Sequence, residues 1–145
     1  MKYSKATNYA LHTMVYLVVA PKGKTIGVRP LADIQSVSPT YLSKILTKLV
    51  KAGLIESTPG VNGGYKLSTK EDISFLSIIQ AVEGTDSLFD CGLGHDRESN
   101  RDCFIQHIMM NAEHEMEHYL KERTIQELAD KVDESLIAFV NREAQ

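Results

Sequence analysis

The stretch VRPLADIQSVSPTYLSKILTKLVKAGLIESTPGVNGGYKL, residues 28–67, decides the fold. Its centre carries a helix start: Ser38 can cap, and Pro39 fits the first helical position, where a missing N–H costs nothing. Leu42, Ile45, Leu46 and Leu49 recur at helical spacing and predict a buried stripe, while Lys44, Lys48 and Lys51 fall on a different face. Gly53 supplies a left-handed stop. Upstream, residues 29–36 predict a shorter helix joined through a tight turn. Downstream, Leu54–Thr58 and Tyr65–Ser68 read as strands joined through Pro59–Gly64, because Asn62-Gly63 followed by Gly64 tolerates positive φ. Helix, turn, helix and hairpin, with a basic outer ridge on the second helix, spell a winged helix-turn-helix. In that unit one helix enters the major groove of double-stranded DNA and the wing touches backbone or minor groove. Thr40, Tyr41, Ser43, Lys44 and Lys48 then face DNA, and Gly60, Asn62, Gly63 and Gly64 form the wing. Ser38–Lys44 open the helix and can reach base edges, whereas Lys48 meets phosphate. Tyr41 reads equally as a stacking residue on DNA and as packing beneath the helix.

Charge follows the same division. Residues 1–70 hold 10 Lys/Arg against 2 acids, a net +8, and residues 71–145 hold 6 against 17, a net −11. The modest overall charge of −3 conceals a basic half suited to nucleic acid and an acidic half that faces something else. A length of 145 residues allows one compact domain with an appended arm, and 43% hydrophobic content is ordinary for a globular chain. Two cysteines are too few for a disulfide framework. Lys2 and Lys5 ahead of the apolar run Tyr9–Ala20 mimic a signal peptide, but His12 and Thr13 interrupt the run and Ala20-Pro21-Lys22 is a poor cleavage site. The run therefore reads as the first helix, about Ser4 to Ala20, of a cytoplasmic protein that makes no use of a membrane. No phosphate-cradling glycine loop, HExxH or GxSxG is present, and the Gly60–Gly64 run leads into a strand, so an enzyme is not expected.

After the wing, Ser74 caps a helix that Gly84 ends, with Ile73 placed to staple onto Ile78. Residues 85–102 show little periodicity. Asp102 is placed to cap a long helix from Cys103 to about Glu122, whose apolar stripe is Ile105, Ile108, Met109, Ala112, Met116, Tyr119 and Leu120. A small helix–wing core cannot cover such a stripe, so it predicts a dimer interface. Thr124-Ile125-Gln126-Glu127 is a capping box for a last short helix, Ile125–Val132, with residues 133–145 extending or fraying it. The expected fold class is mainly α with a small β-hairpin wing: a winged helix-turn-helix plus a long dimerisation helix.

The segments MKYSKATNYALH, SPTYLSKILTKLVKAGLIES, GVNGGYKL and EDISFLSIIQAVEG, in this order, resemble the IscR/NsrR group of bacterial winged-helix regulators, also called the Rrf-two group. The resemblance covers about residues 1–132. It implies a homodimeric transcription regulator, read as a repressor of an operator, that dimerises through the long helix. Many members sense redox, nitric oxide or iron–sulfur status through cysteines in the loop before that helix, where Cys91 and Cys103 stand. The implied organisation is a DNA-binding domain over 1–84, a sensor loop over 85–102, and the dimerisation and C-terminal helices over 103–145. The sequence departs from the group's pattern twice: Arg97 and Glu98 stand where a middle cysteine is usual, and Pro59 stands where an arginine often precedes the wing glycine.

Cys91-x3-His95 and Cys103-x3-His107 are Cys/His pairs of a kind that suits zinc or a mixed-ligand iron–sulfur cluster. The resemblance adds His12, one helical turn from Asn8, as a ligand donated by the partner subunit. One reading is therefore a [2Fe–2S] cluster on Cys91, Cys103 and His12. A second is a metal-free thiol switch, since Cys103 lies at a helix N-terminus that favours the thiolate. A third makes both cysteines packing residues in a regulator that answers a small molecule. His107, His114 and His118 share the polar side of the long helix and read as a solvated face, and His95 reads as a loop residue. A rival of another class is a protein-interaction module whose acidic half binds a basic partner; a salt-sensitive DNA mobility shift separates the two.

Overall fold

The computed structural model describes residues 3–69, 71–93 and 103–145. Helix α1 spans Lys5–Val19, α2 Val28–Ile34 and α3 Pro39–Lys51. Strands β1 (Ile55–Thr58) and β2 (Gly64–Leu67) follow, then α4 (Phe75–Glu83), α5 (Phe104–Glu122), a 3-10 helix over Ile125–Lys131 and α6 (Glu134–Glu143). Among the described residues, no helix is long and apolar enough to cross a membrane.

The local signals act as their chemistry requires. Ser38 Oγ accepts from the Tyr41 amide at 3.1 Å, with Pro39 at the first helical position. Leu42, Leu46 and Leu49 are wholly buried and Ile45 nearly so. Gly53 takes φ +77° just past the end of α3, and Gly84 takes φ +86° after α4. Ser4 and Ser74 cap α1 and α4 through bonds to the Thr7 and Ser77 amides. Thr124 and Glu127 close the expected capping box.

Five expectations need correction. Helix α2 stops at Ile34 rather than residue 36, because Ser36 turns the chain with φ +54°. The strands begin one residue away from their expected ends: the antiparallel register runs from Ile55↔Leu67 to Thr58↔Gly64, while the Leu54 amide is drawn back to the Leu49 carbonyl at 3.1 Å. The capping box starts a 3-10 helix, not the last helix. Residues 133–145 neither extend it nor fray, since Asp133 caps a separate α6 by accepting from the Leu136 amide at 2.8 Å. Finally, Cys103 occupies the N-cap of α5 without a side-chain cap bond, and Asp102, expected there, lies outside the described residues.

The core gathers Ala10, Met14 and Leu17 of α1 with Leu31, the buried face of α3, Ile55, and Ile73, Ile78 and Val82 around α4. Ile125 and Val140 belong to the same core, so the chain beyond α5 returns to the body formed by its first 84 residues. Two backbone bridges fasten this return: the Ile125 amide donates to the Ile73 carbonyl at 2.8 Å and the Phe75 amide to the Arg123 carbonyl at 2.8 Å. Helix α5 packs along α4 but buries only Glu113.

Candidate nucleic-acid interface

Helix α3 turns its leucines inward and thereby places the intervening residues outward. Thr40, Tyr41, Lys44 and Lys48 are exposed and Ser43 is half-buried. Lys44 makes no ion pair among the described residues. Tyr41 combines its two expected roles: its ring meets Tyr9 of α1 edge to face at 5.9 Å, yet 40% of the residue is exposed. Lys48 is less free than its exposure suggests. Its ammonium donates to the Val82 carbonyl at 3.4 Å, at the negative end of α4.

The wing glycines have steric reasons to be glycines. A Cβ on Gly63 would lie 2.0 Å from the Thr58 carbonyl oxygen, and one on Gly64 would lie 2.6 Å from the Ile26 carbonyl. Gly60 and Asn62 are exposed at the tip, and the Gly63 amide closes the turn on the Gly60 carbonyl at 3.1 Å. Arg29, which sequence reasoning passed over, lines a groove of about 480 Å³ together with Ser57, Gly60, Gly63 and Glu143. Its isolated position at the start of a short helix offers no periodic signal.

The described part of the loop expected to sense, residues 85–93, crosses the junction of α4 and α5. Glu113 holds it: Ser87 Oγ donates to one carboxylate oxygen at 2.8 Å and the Leu88 amide to the other at 3.1 Å. A cavity of about 320 Å³ opens beside it, floored by Leu76, Ile79 and Leu120. The end of α4 is a second junction. One oxygen of Glu83 accepts from the Ser4 amide and hydroxyl, both at 2.7 Å, and from the Thr7 hydroxyl at 2.6 Å. The Thr7 and Ser4 hydroxyls and the Ser4 amide hold this carboxyl below its ordinary value, and Lys48 adds to the effect. Tyr3 donates to Met116 Sδ at 3.4 Å, and burial followed by the charges of Glu83, Glu117 and Glu113 pushes its phenol up.

Cys91 and Cys103 are free thiols, both half-buried. His12 is exposed on α1, and its Nδ1 lies 2.8 Å from the Asn8 carbonyl. That contact selects the tautomer with the proton on Nδ1 and leaves the Nε2 lone pair available to a metal. Among the described residues of one chain, however, no group of three or more His, Cys, Asp or Glu gathers to hold a metal ion. His95, Arg97 and Glu98 lie outside the described residues. His107, His114 and His118 are exposed on α5.

Comparison with known proteins places this geometry among transcription factors. The family model Rrf2, described as an iron-dependent transcriptional regulator, matches residues 3–131. The regulator NsrR of Shouchella clausii is 35% identical over 69% of this chain and 66% of its own length. NsrR of Halalkalibacterium halodurans is 29% identical over 92% of this chain and 94% of its own. The solved structure of CymR, the global cysteine regulator of B. subtilis, superposes with a TM-score of 0.71 at 26% identity, over 92% of this chain and 99% of that one.

Proposed function

Because the chain belongs to the Rrf2 family of transcriptional regulators, we propose that it binds a double-stranded operator as a homodimer and represses transcription until a redox signal reaches Cys91 and Cys103. The observation that carries the DNA-binding part is the division of α3: four apolar residues are buried while Thr40 and Lys44 are exposed and Tyr41, braced by Tyr9, is partly exposed. Such a helix offers hydrogen-bonding groups at its first turns, where base edges are read, and a cation further along. The hairpin beside it serves as the wing.

Lys44 is the better candidate for phosphate in this arrangement, and Lys48 serves a double role, since its ammonium rests on the end of α4. The test is a mobility shift with a duplex selected by the protein from a random pool. Lys44→Ala is expected to weaken binding to all sequences and to flatten the salt dependence by about one phosphate contact. Thr40→Ala and Ser43→Ala are expected to alter which duplex is selected. Unchanged binding by Lys44→Ala together with Lys48→Ala would rule out α3 as the recognition helix.

For the signal, thiol chemistry needs only what one chain presents: two free, half-buried cysteines, one at the N-terminus of α5. An iron–sulfur cluster is the second reading, favoured by the family's iron-dependent description and by the available Nε2 of His12. In that reading the cluster is shared between subunits, with Cys91 and Cys103 of one and His12 of the other, as the family resemblance implies; among the described residues of one chain no three donors gather. The absorption spectrum of anaerobically purified protein separates the readings. A cluster gives visible absorption that His12→Ala reshapes; a thiol switch gives a colourless protein indifferent to that change.

A further inference from the structure

The wing of this protein is too small to hold its own position. Its strands have four residues each, and only Ile55 of β1 is fully buried. A lone two-stranded hairpin of that size is marginal in water and needs further pairing to stay ordered. The structure supplies the pairing in two steps. Tyr65 of β2 exchanges both backbone bonds with Ile26, at 3.0 and 2.8 Å. Thr25, one residue earlier, turns its backbone groups to the opposite side and exchanges both with Gln145, at 2.8 Å each. The Thr25 hydroxyl adds contacts at 3.4 Å to the carbonyls of Asn62 in the wing loop and of Gln145. Gln145 is itself anchored, since α6 is capped by Asp133 and buries Val140 completely in the core.

We propose that residues 144–145, at the end of α6, are a positioning strut for the wing, joined to it through Thr25 and Ile26, and that tight operator binding depends on this pairing. Thr25 is 7% exposed, so removing Gln145 leaves its N–H and carbonyl without partners and loosens the segment on which Tyr65 pairs. The close approach that only Gly64 permits against Ile26 means that movement of this segment moves the wing directly. The inference rests on the reading that the hairpin touches DNA.

The experiment uses the full chain and a duplex selected by the wild-type protein. Hydroxyl-radical cleavage reads the outer backbone and minor-groove protection under the wing, and guanine N7 methylation reads the major groove under α3. Deletion of residues 144–145 is expected to erase the outer protection and weaken binding about tenfold, the scale of two lost backbone hydrogen bonds, and Gln145→Pro, which removes only the N–H, to weaken both by a smaller step, about threefold. The methylation pattern is expected to persist and the Tyr65 amide to exchange faster. Gln145→Ala keeps both backbone groups and is expected to bind like wild type. Unchanged affinity and outer protection in both the deletion and Gln145→Pro overturns the strut. So does loss of the methylation pattern along with the wing protection, since that makes the tail a prop for the whole fold. If the wild-type protein shows no outer protection, it is the wing reading that fails, and the strut falls with it.

Discussion

Glu83 ends α4 with a carboxylate that caps the first turn of α1, where its charge also meets the positive end of that helix. Its three bonds hold its titration below the ordinary 4.5. The group therefore adds stability that is complete above the unfolded value and is lost as pH falls through the folded one. Glu83→Gln keeps the shape but removes the charge. It is expected to cost about 1 kcal/mol at neutral pH, a figure held down by the exposure of the site. Urea unfolding of both proteins between about pH 6 and pH 3 should show the gap closing as the solution is acidified. A gap that stays constant across this range would mean the charge of Glu83 does nothing for the fold. The wing glycines carry a lesson of the same scale. The NGG run announces a turn, yet the contact that makes Gly64 obligatory is with Ile26, some forty residues earlier in the chain.

Helix α5 is the element whose packing is least complete within one chain. Phe104, Ile105, Ile108 and Tyr119 are 77%, 66%, 67% and 60% exposed, large apolar side chains left open as they are at a protein interface. Met109 and Met116 are partly covered, the latter beneath Tyr3. The expected stripe thus divides into an outer face fit for a second copy and an inner edge against α4. An isologous dimer through the outer face would present two α3 helices to a two-fold operator. Ile105→Glu with Ile108→Glu is expected to give a folded monomer, because neither residue supports the core, and to lose operator binding by a hundredfold or more, on the order of a lost half-site. Sedimentation at micromolar concentration checks the first outcome and a mobility shift the second. A wild-type protein that sediments as a monomer would remove the basis for this prediction.

In the molecule as a whole, the segment proposed to sense and the helix proposed to read DNA are linked through the end of α4. Residues 87 and 88 are held by Glu113 of α5, while Val82 and Glu83, just before that segment, touch Lys48 of α3 and the start of α1. A change at Cys91 or Cys103 that pulled on residues 85–93 would act on this junction, and two positions of α4 would tilt α3 by different amounts. Coupling of this kind is typically about 1–3 kcal/mol. Cys91→Ser and Cys103→Ser are each expected to leave operator binding in the unsignalled state intact and to abolish its loss on exposure to oxidant or nitric oxide. If both variants still respond as wild type does, the signal enters elsewhere and the cysteines are packing residues.

By itself the sequence determined helices α1 to α5, the caps at Ser38 and Ser74, the buried face of α3, the hairpin and the apolar stripe of α5. Each of these is written in a periodicity, a capping side chain or a glycine within a few residues of where it acts. Tertiary structure decided how those pieces support one another. Gln145 pairs with Thr25, Glu83 with Ser4 and Thr7, Glu113 with Ser87 and Leu88, and Lys48 with Val82. These partners are far apart in the chain, and a surface carboxylate or a backbone amide carries no local sign of which distant group it will meet. The same reason explains α6. Asp133 offers a local cap, but what ties α6 to the body is one buried valine and a backbone pair with Thr25, 120 residues away.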